Sequence, residues 1–107
     1  MADISLVDSG TNLVTTQKMA GSLILTVDSS RGKAVASVMF GKSTGELEAR
    51  ADRPVFRALT VQYGGRFILE QGAVPIIRDG EIIGACGVGG DTAQEDEDCA
   101  RAGISAV

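Results

Sequence analysis

The chain is 107 residues long, 44% apolar and 22% charged, the profile of one ordinary globular domain rather than a disordered segment. Its net charge of −4 argues against nucleic acid and anionic membranes as partners, and no apolar run approaches the roughly 20 residues of a membrane span. Histidine is absent, which removes the commonest general base and the commonest haem and zinc ligand. No signal-peptide pattern opens the sequence, so the cytoplasm is the expected compartment.

From the N-terminus, Ile4–Val7 and Asn12–Met19 alternate across the turn Asp8-Ser9-Gly10, the pattern of a β-hairpin. After a loop at Ala20–Ser22, a helix is expected within Leu23–Phe40. Its stripe is Val27, Arg31, Ala34, Val35 and Val38, with Gly32 a weak point and Gly41 the stop. Ser43 with Glu46 has capping-box spacing, opening a short helix Thr44–Ala51. Pro54 suits the first turn of a third helix, which runs to Gln62 and closes at Gly64-Gly65.

Three apolar runs follow: Arg66–Glu70, Ala73–Arg78 and Glu81–Val88. Asp79-Gly80 between the last two is a type I′ hairpin signal, because that turn needs φ > 0 at both central positions. Gly87, Gly89 and Gly90 lead into Thr92, which with Glu95 forms a capping box for a helix Thr92–Val107. Asp96, Cys99, Ala100, Gly103, Ile104 and Val107 recur along it at helical spacing. Gly84 and Gly87 are expected where helix and sheet approach closely. Cys86 and Cys99 read as small buried side chains rather than a disulfide. The predicted fold is α+β, a five-stranded antiparallel sheet with helices packed on it, as one domain over residues 1–107.

The order Gly72, Pro75, Ile76, Gly80, Ile83, Gly84, Gly87, Val88, Gly90, then Gln94, Asp96 and Glu97, resembles the GlcG/HbpS-like family. That family includes haem-binding proteins and the C-terminal domain of some corrinoid adenosyltransferases. Leu6-Val7-Asp8-Ser9-Gly10 is similar to its V-V-D-x-x-G pattern with the glycine one residue early. Lys33-Ala34 matches a lysine-alanine pair in its helix, whereas Lys18-Met19-Ala20-Gly21 has alanine where members carry an acid. The resemblance implies a profilin-like or PAS-like layered sheet and a small ligand, haem or another tetrapyrrole. Members ordinarily begin with an alanine-rich helix, which this sequence lacks ahead of its first strand. The sheet face left without it is expected to be covered by a second copy or by a partner chain.

Without histidine, haem iron would need Tyr63, a methionine such as Met19 or Met39, a cysteine or a hydroxyl. Each has a plainer role too, Tyr63 as a rim aromatic and the methionines as core filling. Lys33 reads either as a solvated lysine or as a stem along the core edge carrying its ammonium to a pocket. Lys18 is the other candidate counter-charge. Asp96 and Glu97 match the family's acidic pair, yet acids in a first helical turn also simply complement the dipole. The four acids Glu95–Asp98 cannot converge on one cation, so no metal site is expected. Gly89, Gly90 and Thr92 bring a strand into a helix N-terminus, a geometry that suits a single carboxylate from an organic acid or a propionate. Alternatively those glycines serve packing alone and Thr92 caps its own helix. The first functional reading is a small-ligand binding protein acting as carrier, sensor accessory or scavenger. Its alternative is an enzyme or accessory subunit for a small organic acid or pathway intermediate, with Lys33, Lys18 and Asp96 as catalytic candidates. A subunit whose sheet face only mediates assembly is the third.

Overall fold

The computed structural model describes residues 2–105 and contains β1 (Asp3–Asp8), β2 (Leu13–Gln17), α1 (Ile24–Phe40), α2 (Thr44–Glu48), α3 (Pro54–Gln62), β3 (Ala73–Arg78), β4 (Glu81–Gly89) and α4 (Ala93–Ser105). The α+β class is as expected, but the antiparallel sheet has four strands in the order β2-β1-β4-β3, not five. The end of the expected last helix, at residues 106 and 107, lies outside the described residues.

The two hairpins form where the turn chemistry dictates. The Asp8 carboxylate accepts the N–H groups of Gly10 and Asn12, each at 2.9 Å, which folds the chain back between β1 and β2. Asp79 (φ 53°) and Gly80 (φ 79°) both adopt the left-handed region that the β3–β4 turn requires.

Arg66–Glu70 is the missing strand. Both edges of β4 are taken, by β1 and β3, and this segment instead crosses the outer side of α1. The Ile68 N–H donates to the Gly32 carbonyl at 3.0 Å. A Cβ on Gly32 would stand 2.7 Å from the Ile68 side chain, so the expected weak point is what lets the segment lie down. Phe67 is buried there, 5.5 Å from Phe40 and 5.8 Å from Tyr63 between ring centres. With the sheet on one side and this segment on another, α1 is buried from Lys33 to Ser37. Arg31, placed on the apolar stripe by spacing, is exposed.

Helices cover both sheet faces. Asp3, Ser5 and Val7 of β1 are buried towards α1, with a Ser5–Ser30 hydroxyl contact at 2.7 Å. On the other face Val74, Cys86 and Val88 pack with Ala100 of α4 and with Ile4 and Leu6. Gly87 governs the first contact, since a Cβ there would run into the Ser30 carbonyl and the Ala34 amide. Gly84 differs from expectation: its would-be Cβ meets the Val7 carbonyl of the neighbouring strand, not a helix. Ser43 occupies the N-cap of α2 without a side-chain cap bond, so that capping box is not made. The one at α4 is made. Among the described residues no helix is long and apolar enough to cross a membrane.

Candidate functional site

The polar residues of the interior converge on the C-terminal end of β4, where the β2–α1 loop, the first half of α1 and the start of α4 meet. Asp3 is fully buried at that end of β1. Its carboxylate accepts the Met19 N–H at 2.7 Å, the Ser22 hydroxyl at 2.9 Å and the Thr26 hydroxyl. Burial pushes the Asp3 carboxyl up, but the bonds from Thr26, Met19 and Ser22, with the charge of Lys18, outweigh it and hold the group below its ordinary range. One carboxylate thereby orders the whole loop. Sequence reasoning did not single it out, because an acid in an alternating strand reads as solvent-facing; here the polar side of β1 is the inner side.

Lys33 takes neither of its two expected positions. It is 3% exposed, and its ammonium donates to the Val88 carbonyl at 3.2 Å and pairs with the Asp96 carboxylate at 3.5 Å. Asp96 is itself buried and accepts the Asp91 N–H at 3.1 Å. The lysine stem passes Gly72, where any Cβ would stand 3.0 Å from its Cδ. Two of the three catalytic candidates, Lys33 and Asp96, are thus joined to each other inside the protein, while Lys18 stays on the exposed loop.

The glycine turn is equally self-contained. The Thr92 hydroxyl accepts the Glu95 N–H at 3.2 Å, and Glu95 accepts the Thr92 N–H at 3.3 Å and its hydroxyl at 2.7 Å. The amides of Asp91, Thr92 and Glu95 are therefore already engaged by side chains of the chain. Of the remaining acids, Glu97 pairs with Arg101 at 3.2 Å and Asp98 accepts from Gln94 at 3.0 Å. Gly89 is pressed against α1, with a would-be Cβ 2.7 Å from the Ser29 hydroxyl.

What remains open to solvent is the loop. Gly90, at φ 119°, faces Gly21, Ser22, Leu23 and Thr26 across a cleft of about 210 Å3. Met19 is 48% exposed, and Lys18 lies along the loop with its ammonium on the Ser22 carbonyl at 2.7 Å. Exposed Val14, Leu23, Ile24 and Leu25 stand on β2 and the start of α1. Tyr63 is elsewhere: half-buried at the end of α3, it packs on Phe67 and lies 5.7 Å beneath the Arg66 guanidinium. A larger cleft of about 460 Å3, lined by Arg57, Thr60, Val61, Phe67 and Leu69, contains no methionine, cysteine or tyrosine. Cys86 and Cys99 are both free thiols, and burial raises the Cys86 group to about 11.

This arrangement belongs to a recognised type. Residues 2–105 match the family described as haem degrading protein HbpS-like. The chain belongs to the HbpS-like family. Over 93 residues this HbpS-like chain is 30% identical to an uncharacterized 15.0 kDa protein in the dhaT-dhaS intergenic region of Citrobacter freundii. That match covers 86% of the chain and 66% of the relative, so the chain spans just under two thirds of the curated protein's length. Among solved structures it is similar to the PduOC:heme complex, at 26% identity and TM-score 0.88 over 99% of this chain and 78% of that one. A Klebsiella pneumoniae protein, ORFY, gives 27% and 0.89 over 97% and 72%. A double mutant of Streptomyces reticuli HbpS gives 26% and 0.85 over 99% and 70%.

Proposed function

We propose that this HbpS-like chain binds haem or a related tetrapyrrole at its surface, as a carrier, sensor accessory or scavenger. The observation that carries the reading is the likeness of nearly the whole chain to a family member solved with haem. The donor set of the β2–α1 loop fits such a group. Met19 offers a thioether, a recognised axial ligand of haem iron, on an exposed loop bordered by apolar side chains. Lys18, its neighbour, supplies the charge for a propionate. The cleft beside Gly90, at about 210 Å3, is below the size of enclosed drug-sized sites, which favours a surface-bound ligand. Bound haem would bring redox-active iron; the chain's own part is to order the donor loop through Asp3 and to present apolar surface. On the same reading a second copy covers the exposed edge of the sheet.

Titrating the protein with haemin tests this directly. A saturable shift of the haem absorption band is expected, lost in Met19→Ala and weakened in Lys18→Ala. A spectrum that stays that of free haemin in the parent would refute the reading. The family description names haem degradation, and time-dependent bleaching of the bound band under reductant would extend the role from binding to turnover.

A further inference from the structure

On the opposite flank of α1, the described residues form another cleft, of about 280 Å3. Thr11 from the β1–β2 turn, Asp28, Arg31 and Val35 from α1, and Arg66 and Ile68 from the crossing segment line it. We propose that this cleft binds a small hydroxycarboxylate, with Arg31 and Arg66 holding the carboxylate and Asp28 accepting the hydroxyl. The site is distinct from the loop around Met19 and does not rest on the tetrapyrrole reading.

Three charged groups face this one space without neutralising one another. Among the described residues neither arginine pairs with a carboxylate, and Asp28 has no ion pair either. Guanidinium forks are the side chains best shaped for a carboxylate, and here two of them line one cleft. Arg66 is further steadied over the Tyr63 ring. Against these two positive charges the one negative charge of Asp28 leaves a balance of +1, suited to a singly charged ligand and adverse to phosphate. Asp28, exposed at the same cleft, is placed to accept a hydroxyl next to the ligand's carboxylate.

Size and walls agree. The cleft, at about 280 Å3, gives room for a small acid. Val35 and Ile68 give an apolar floor for a short carbon chain. The floor exists because Gly32 lets Ile68 rest on α1, and Gly65, at φ 73°, turns the chain at the rim. Thr11 is held at φ 68°, a conformation that a β-branched residue rarely adopts, by the Asp8 turn that brings it to the cleft.

The test is an amide chemical-shift titration of the full chain with lactate, acetate and inorganic phosphate at constant ionic strength. Lactate should give saturable shifts at Thr11, along residues 28–32 and along residues 65–68, with acetate binding more weakly and phosphate more weakly still. Arg31→Gln and Arg66→Gln should each weaken lactate by about tenfold or more, and Asp28→Ala should erase its advantage over acetate. No saturable shift in the parent, shifts confined to other residues, or phosphate binding as tightly as lactate would each overturn the proposal, as would unchanged affinity in the arginine variants. The parent titration needs no variant to fold. Haemin binding is scored separately, so either site can fail alone.

Discussion

At the scale of single residues, the glycines divide sharply by what surrounds them. Gly87 has the Ser30 carbonyl and the Ala34 amide where a Cβ would go, and these are backbone atoms that cannot swing away. Gly103, on the outer part of α4, has only the Cys86 sulfur, at an ordinary 3.9 Å. Gly87→Ala should therefore cost about 1–3 kcal/mol or more through overpacking. Gly103→Ala should be neutral or gain up to about 1 kcal/mol from helix propensity. Urea unfolding of the two variants checks this, and equal midpoints would remove the close-approach account of Gly87. The sequence marked Gly87 by its place in a glycine cluster leading out of a strand. It gave no sign that Gly84 answers to a strand and not to a helix, because small residues look alike whichever neighbour they admit.

At the scale of elements, Lys33 and Asp96 join α1 to α4 past the end of β4. Each partner alone would be a charge buried with little compensation. Lys33→Met and Asp96→Leu should each lose about 3–5 kcal/mol, while the double variant should be more stable than either single one. A double-mutant cycle reads the coupling, and strictly additive losses would mean the pair is no unit. Both hairpins, all four helices and the α4 capping box were legible in the sequence, because turn dipeptides and caps act locally. The pairing of Lys33 with Asp96 was not, since it joins positions far apart in the chain. Nor was the path of Arg66–Glu70. Its apolar run satisfies a strand or a cover for α1 equally, and the seat that Gly32 offers to Ile68 on α1 is a contact between distant positions. For the same reason the candidate site was half legible: Met19, Lys18 and Gly90 do lie about one loop, but the buried acid that holds that loop went unseen.

At the scale of the whole molecule, the two edges of the sheet are unequal. β3 carries Pro75, which has no N–H to offer, as edge strands often do. β2, Leu13-Val14-Thr15-Thr16-Gln17, has neither proline nor lysine, and its Val14 is 65% exposed. Such an edge is a template for another strand. Beside it in sequence, Leu23, Ile24 and Leu25 at the start of α1 are exposed as well. Exposed apolar surface is thus found at this edge and helix start, besides Ile77 and Ile83 on β3 and β4 and Val55 and Val61 on α3, while Ile4 and Leu6 on the face are partly covered. We propose that copies associate through β2, pairing backbone groups that a monomer leaves to water. Sedimentation at micromolar concentration should then show a dimer or larger species rather than 11.0 kDa. Val14→Lys should return the protein to the monomer without unfolding it, because a charge on an edge strand opposes pairing while touching no core residue. A parent that sediments as the monomer, or a Val14→Lys variant that stays associated, would contradict the assignment of β2 as the interface.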